Sequence, residues 1–195
     1  MGIRSGFQSL VKQVAPQVFN YHCLRQRYAL AVKTLPPDLL NTLSDIVKIV
    51  NHIRGSATNS RLFKVLCDEV GATFNALLYN VLSRVYELRE EIGLFFENQR
   101  TQKGKEYYAK IKHHIFVLKI AYLADFFTEI NNLNISLQGN ETNILMLQDK
   151  IASFLCKLEF YQRRVQAGDV SMFTRLSEQL LNNKRDKITF ENSVV

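Results

Sequence analysis

Apolar residues return every three or four positions along most of this chain, a period that fits one face of an α-helix and excludes a strand-built fold for those stretches. Leu39, Leu43, Ile46, Val50 and Ile53 follow Pro36 and Pro37, which suit a helix's first turn, and the run closes near Gly55. Phe74, Leu77, Val81, Val85, Leu88, Ile92 and Phe95 predict a second long helix, with Glu87, Arg89, Glu90 and Glu91 on its exposed side. Ile111, Ile115, Leu118, Tyr122, Phe126, Ile130, Leu133 and Leu137 predict a third, ended at Gly139. Ile144, Leu147, Ile151, Phe154, Leu158 and Val165 predict a fourth, and the polar run at residues 100–105 reads as the loop before the third.

Two regions depart from this period. Residues 17–23, Q-V-F-N-Y-H-C, alternate enough to read as a short strand, whose backbone groups would need a neighbour to pair with. The C-terminal residues 184–195 are polar, lack a stripe and read as a tail. The expected organisation is therefore a helix-strand-helix segment at 1–34, a helical domain at 35–183 and a tail.

With 47% hydrophobic and 22% charged residues among 195, the chain has the balance of a folded globular protein. No apolar run approaches the ~18 residues of a membrane span, and Met1 to Leu10 lacks the pattern of a signal peptide, so no membrane role and an intracellular location are expected. Cys23, Cys67 and Cys156 are odd in number and widely spaced, which predicts buried reduced thiols and no disulfide framework. The net charge of +7 makes nucleic acid a natural acidic partner, with Arg25, Arg27, Lys33, Arg163 and Arg164 as candidate contacts.

Little chemistry is visible. His22 and Cys23 could give two ligands to a metal, but no second pair stands at usable spacing, and neighbours in a strand face opposite sides. His113 and His114, adjacent on a helix, cannot chelate together and are expected at the surface or boundary. Asp45, Asp68, Glu69, Asp125, Glu129 and Asp149 fall on predicted helices, where ion pairing is their ordinary use. No glycine-rich phosphate loop or nucleophile elbow is present, and no cofactor or metal is expected.

The order of three segments, V-K-I-V-N-H-I-R-G-S-A-T-N-S-R-L-F-K-V-L-C-D-E-V-G, V-L-S-R-V-Y-E-L-R-E-E-I and L-K-I-A-Y-L-A-D-F-F-T-E-I-N-N-L-N-I-S-L-Q-G, resembles hAT-superfamily transposases. Within them the likeness is to the domesticated Buster/Charlie-type group, with its zinc finger BED domain-containing, FAM200-type and general transcription factor II-I repeat-containing relatives. That resemblance implies a mainly α fold: a helical insertion-type domain preceded by a partial ribonuclease-H-like core. It also implies a nuclear location.

The opening M-G-I-R-S-G-F-Q-S-L-V-K-Q-V-A-P resembles the family stretch just after the second catalytic aspartate, so none of the three acidic catalytic positions is matched within this chain. Two-metal phosphoryl transfer needs those carboxylates, and the expectation is a chain without enzyme activity. H-C-L-R-Q-R-Y-A-L-A resembles a family histidine-cysteine, two residues, histidine-arginine motif: His22, Cys23 and Arg27 are kept, and Gln26 stands where the second histidine would be. Glutamine cannot titrate or ligate as imidazole does. An arginine-tryptophan stretch of the family is also absent, and the chain has no Trp.

The implied function is a catalytically inactive, transposase-derived protein-interaction module whose partners are related transposase-like proteins or a second copy of itself. The alternatives are a non-specific nucleic-acid-binding module and a non-functional remnant of a decayed element. The interaction reading expects exposed apolar anchors among Phe95, Phe96, Phe126 and Phe127.

Overall fold

The computed structural model describes residue 14 and residues 34–69, 81–137 and 144–182. The chain divides into two compact units, Met1–Thr34 and Leu35–Val195. Within the second, the described residues form eight helices: α1 (Pro37–Arg54), α2 (Ala57–Glu69), α3 (Val81–Glu87), α4 (Arg89–Asn98), α5 (Gln102–Lys112), α6 (His114–Ser136), α7 (Ile144–Gln166) and α8 (Thr174–Asn182). There is no strand among the described residues. The predicted strand at 17–23, the ribonuclease-H-like fragment and the tail at 184–195 lie outside them.

α6 is the axis of the fold. Its middle is apolar nearly all round, and Leu118, Ile120, Ala121, Leu123 and Ala124 are all inaccessible to solvent, so the helix needs neighbours on several sides. α1, α3, α5 and α8 supply them. α1 begins at Pro37, as the two prolines predict, and buries Leu39, Ile46, Val50 and Ile53 from the expected stripe. Thr42 and Ile49 are buried as well, while Leu43 is only half-buried. The face directed at the core is therefore rotated slightly from the one the sequence suggests.

An aromatic cluster closes the other side of α1. Phe63 of α2 meets Phe95 edge-on at 5.6 Å between ring centroids, Phe95 meets Phe96 at 5.2 Å, and Phe96 meets Tyr107 of α5 at 5.2 Å. His52 of α1 sits against Phe96 and Tyr107 and hydrogen-bonds Gln99 at 3.1 Å. Asn59 donates to the His52 carbonyl, which ties the start of α2 to the end of α1. Four helices thus share one set of rings, at preferred edge-to-face separations.

Three boundaries differ from the sequence expectation. The second predicted helix is interrupted at Leu88, where the Arg89 guanidinium donates to the Tyr86 carbonyl at 2.8 Å, the acceptor that a continuing helix would offer to the Glu90 amide. Residues 100–105 are not a loop throughout. Thr101 caps α5 by accepting from the Gly104 amide at 3.0 Å, and Gly104 fits because a Cβ there would lie 2.9 Å from Gln99. The third predicted helix is two, because His113 adopts an extended conformation (φ −73°, ψ 117°) that both closes α5 and opens α6. That single residue redirects the chain so that Ile111 and Phe116 both enter the core.

α8 is anchored by a carboxylate from α6. Asp125 is buried, and it accepts from the Leu176 amide at 3.2 Å and from Arg175 at 3.0 Å. It therefore acts as a cap supplied across helices, satisfying a first-turn amide of α8 and placing negative charge at that helix's N-terminus. Arg175 also approaches Glu87 of α3 at 3.6 Å, and Gln179 donates to the Tyr86 hydroxyl at 2.9 Å. Upstream of α8, the turn just after α7 contains Gly168, whose φ of 76° suits glycine. Asp169 then accepts from the Ser171 amide at 2.9 Å and pairs with Arg164, and these donors hold its carboxyl down at about 2.

Two outcomes follow. Asp125→Ala removes a buried acceptor and strands both Arg175 and the Leu176 amide, and should cost about 3 kcal/mol, read as a lower urea midpoint. Glu87→Ala, which touches Arg175 only at the surface, should cost less than about 1 kcal/mol. Asp169 has a folded-state pKa below its unfolded value near 3.8, so its contribution is complete above that value and is lost as pH falls toward about 2. Asp169→Asn should therefore flatten the acid limb of a stability-pH curve between roughly pH 4 and 2 while leaving neutral-pH helix content unchanged.

Candidate interaction surface

α7 is built differently from its neighbours. From Leu145 to Gln166 none of its residues is fully buried, although the helix is 23 residues long. Its stripe of Leu147, Ile151, Phe154, Leu158 and Val165 is half-buried, on the side turned toward α6.

The C-terminal half of α7 is where it is held. Tyr122 and Phe126 of α6 stack at 6.0 Å, Phe173 meets Tyr122 edge-on at 5.1 Å, and Tyr161 of α7 meets Phe173 at 5.6 Å. Together with Leu158, Gln162 and Val165 these rings line a groove of about 330 Å³. Burial in this apolar setting pushes the Tyr122 phenol above its ordinary range. Lys157 hydrogen-bonds Glu129 at 2.5 Å, which raises the pKa of its ammonium group, and the same ammonium lies 5.4 Å from the Tyr161 ring. Nearer the N-terminus, Lys150 donates to the Ser136 carbonyl at 2.5 Å.

The opposite face of α7 looks outward. Leu145 and Phe160 are 66% and 45% exposed there, with Cys156 a free, exposed thiol between them, and Leu155, 54% exposed, lies on the flank of this face. The expectation of a buried Cys156 is thus corrected: the residue falls on the side of the helix away from α6. Leu145, Ala152 and Cys156 recur at helical spacing with Asp149 between the first two, a second stripe on one helix that the reading of a single apolar face overlooked.

The anchors expected from phenylalanines lie elsewhere. Phe95, Phe96 and Phe127 are buried core residues, and Phe126 is half-buried in the groove. The interaction reading expects exposed anchors among these four, but the rings around Phe95 and Phe96 and the packing about Phe127 enclose them. His113 is exposed and His114 half-buried, in line with a surface or boundary placement.

Of the candidate nucleic-acid contacts, Arg163 is exposed, whereas Arg164 is committed to Asp169 and Ser171 with its guanidinium 5.4 Å from the Phe160 ring. The two arginines do not present one free cationic pair. Arg25, Arg27 and Lys33, with the His22, Cys23 and Gln26 motif positions, lie outside the described residues. Among the described residues, no group of three or more His, Cys, Asp or Glu is arranged to hold a metal ion, and no helix is long and apolar enough to cross a membrane. Asp45 is engaged in ion pairing: partial burial pushes its carboxyl upward, but Lys110 and Lys48 together hold it below its ordinary range.

The sequence profile of the FAM200/GTF2IRD2 helical domain matches residues 22–166, which include α1 to α7. General transcription factor II-I repeat domain-containing protein 2 of Bos taurus is 26% identical over 183 residues, covering 89% of this chain and 18% of that protein. The chain thus spans less than a fifth of that relative's length. No solved structure matches. A family profile matched over most of the chain, whose described secondary structure is helical, identifies it as a member of the FAM200/GTF2IRD2 helical-domain family, which derives from hAT transposases.

Proposed function

We propose that the chain is a protein-interaction module without catalytic activity, acting in the nucleus among transposase-derived proteins of its own family. The observation that carries this reading is α7: a 23-residue helix held along one side, with Leu145, Leu155 and Phe160 facing solvent on the rest. Exposed apolar residues arrayed along one helix are the usual form of a helix-docking surface. Three of the six helical carboxylates singled out in the sequence are engaged in the fold. Asp125 caps α8, Asp45 pairs with two lysines, and Glu129 pairs with Lys157. Family membership supports the nuclear location, since the matched bovine relative is named as a transcription factor repeat-domain protein.

Leu155→Glu combined with Phe160→Glu should leave the thermal midpoint within about 3 °C of the wild type, because neither side chain is in the core. The full-length bovine relative should co-precipitate with the wild-type chain and not with this variant. Equal recovery by both would overturn α7 as the contact surface. Helix-to-helix contact should also hold its affinity within about threefold between roughly 50 and 200 mM salt, measured by titration. A fall of ~1000-fold over that range, together with binding to a DNA duplex, would transfer the assignment to phosphate recognition.

A further inference from the structure

We propose that the outward face of α7 pairs with the same face of a second copy of this chain, the two helices antiparallel and crossing at Cys156. This assignment rests on the interaction reading above and names its partner. The outward face carries Leu145, Asp149, Ala152, Cys156, Phe160 and Arg163. Asp149 and Arg163 stand one heptad before and after Cys156, and Ala152 and Phe160 stand one helical turn before and after it.

That symmetry selects both partner and direction. When two copies lie antiparallel with their Cys156 residues opposed, Asp149 of each faces Arg163 of the other, so two ion pairs form at once. The small Ala152 then faces the large Phe160, again twice. A parallel arrangement would set Asp149 against Asp149 and Arg163 against Arg163, which is repulsive at both ends. Neither Asp149 nor Arg163 has an ion-pair partner among the described residues, so both charges are available. A self-complementary patch of this kind gives a closed two-fold dimer and no filament. One helix pair about 35 Å long is a small interface, so association should depend on concentration.

The full chain carrying Cys23→Ser and Cys67→Ser, with Cys156 as its remaining thiol, should give a covalent dimer with a short bis-maleimide, and light scattering should show a concentration-dependent dimer. Asp149→Arg alone, or Arg163→Asp alone, should weaken that dimer by about tenfold, because each places like charges face to face. Mixing the two single variants should restore it as a heterodimer, since the arginine introduced in one copy then meets the native Arg163 position of the other, now carrying the introduced aspartate. Cross-linking through Cys156 should recover with it. Circular dichroism on each variant checks that the helices persist. A dimer unaffected by either charge reversal, or single variants that do not rescue each other, would overturn the antiparallel pairing. A chain that stays monomeric with an unreactive Cys156-Cys156 pair would overturn self-association altogether. If such a monomer still recovered the bovine relative through Leu155 and Phe160, the interaction reading would stand and this one alone would fall.

Discussion

Everything in the described helical unit depends on enclosing the middle of α6. A helix whose central turns carry Leu118, Ile120, Ala121, Leu123 and Ala124 cannot face water along any of them without losing hydrophobic stabilisation, at ~25 cal/mol per Å² of apolar surface left exposed. A single neighbouring helix covers only one side of α6, so none could bury it alone. Breaks at Leu88 and His113 are what allow α3 and α5 to come at it from separate directions, with α4 joining them through α5 and α2. Segmentation of the predicted long helices is thus a consequence of the central one being apolar on so many sides.

Polar ties then fix how the surrounding pieces sit. Most join elements distant in sequence: Lys119 with Asp38, Lys112 with Glu90, Lys157 with Glu129, and Arg175 with Asp125. Three of these are largely solvent-exposed on at least one side, and such pairs contribute little to stability individually. Their effect is on orientation. Asp125 is the exception, because it is buried and satisfies a backbone amide as well as a guanidinium. A nine-residue helix such as α8 is too short to be stable by itself, and this carboxylate gives its first turn a fixed place on α6.

Period was the most legible property of the sequence. The start of α1 at its prolines, the apolar side of α7 that faces α6 and the helical nature of the described residues of this unit all followed from spacing. Boundaries were less legible, because the signals that set them are made in three dimensions. Thr101 was readable in principle as a cap, but the glycine three residues later argued for a loop until its close approach to Gln99 was known. The break at His113 has no glycine or proline to announce it. For the surface, the interaction reading expects exposed anchors among Phe95, Phe96, Phe126 and Phe127, but a single stripe per helix does not show how many neighbours a helix has. Phe95 and Phe96 instead lie where α1, α2, α4 and α5 meet, so two stripes are covered.

The same consideration explains why α7 is the exception. A long helix with apolar residues on two sides needs two neighbours, and α6 obtains them by lying at the centre. α7 lies at the edge with α6 as its support, and the rings of Tyr122, Phe126, Tyr161 and Phe173 satisfy only its inner side. Leu145, Leu155, Cys156 and Phe160 are then surplus to the fold, since replacing them with polar residues would remove nothing from the core. Surplus apolar surface on a helix with Asp149 and Arg163 spaced equally about Cys156 is what motivates the proposal that a reversed second copy covers it.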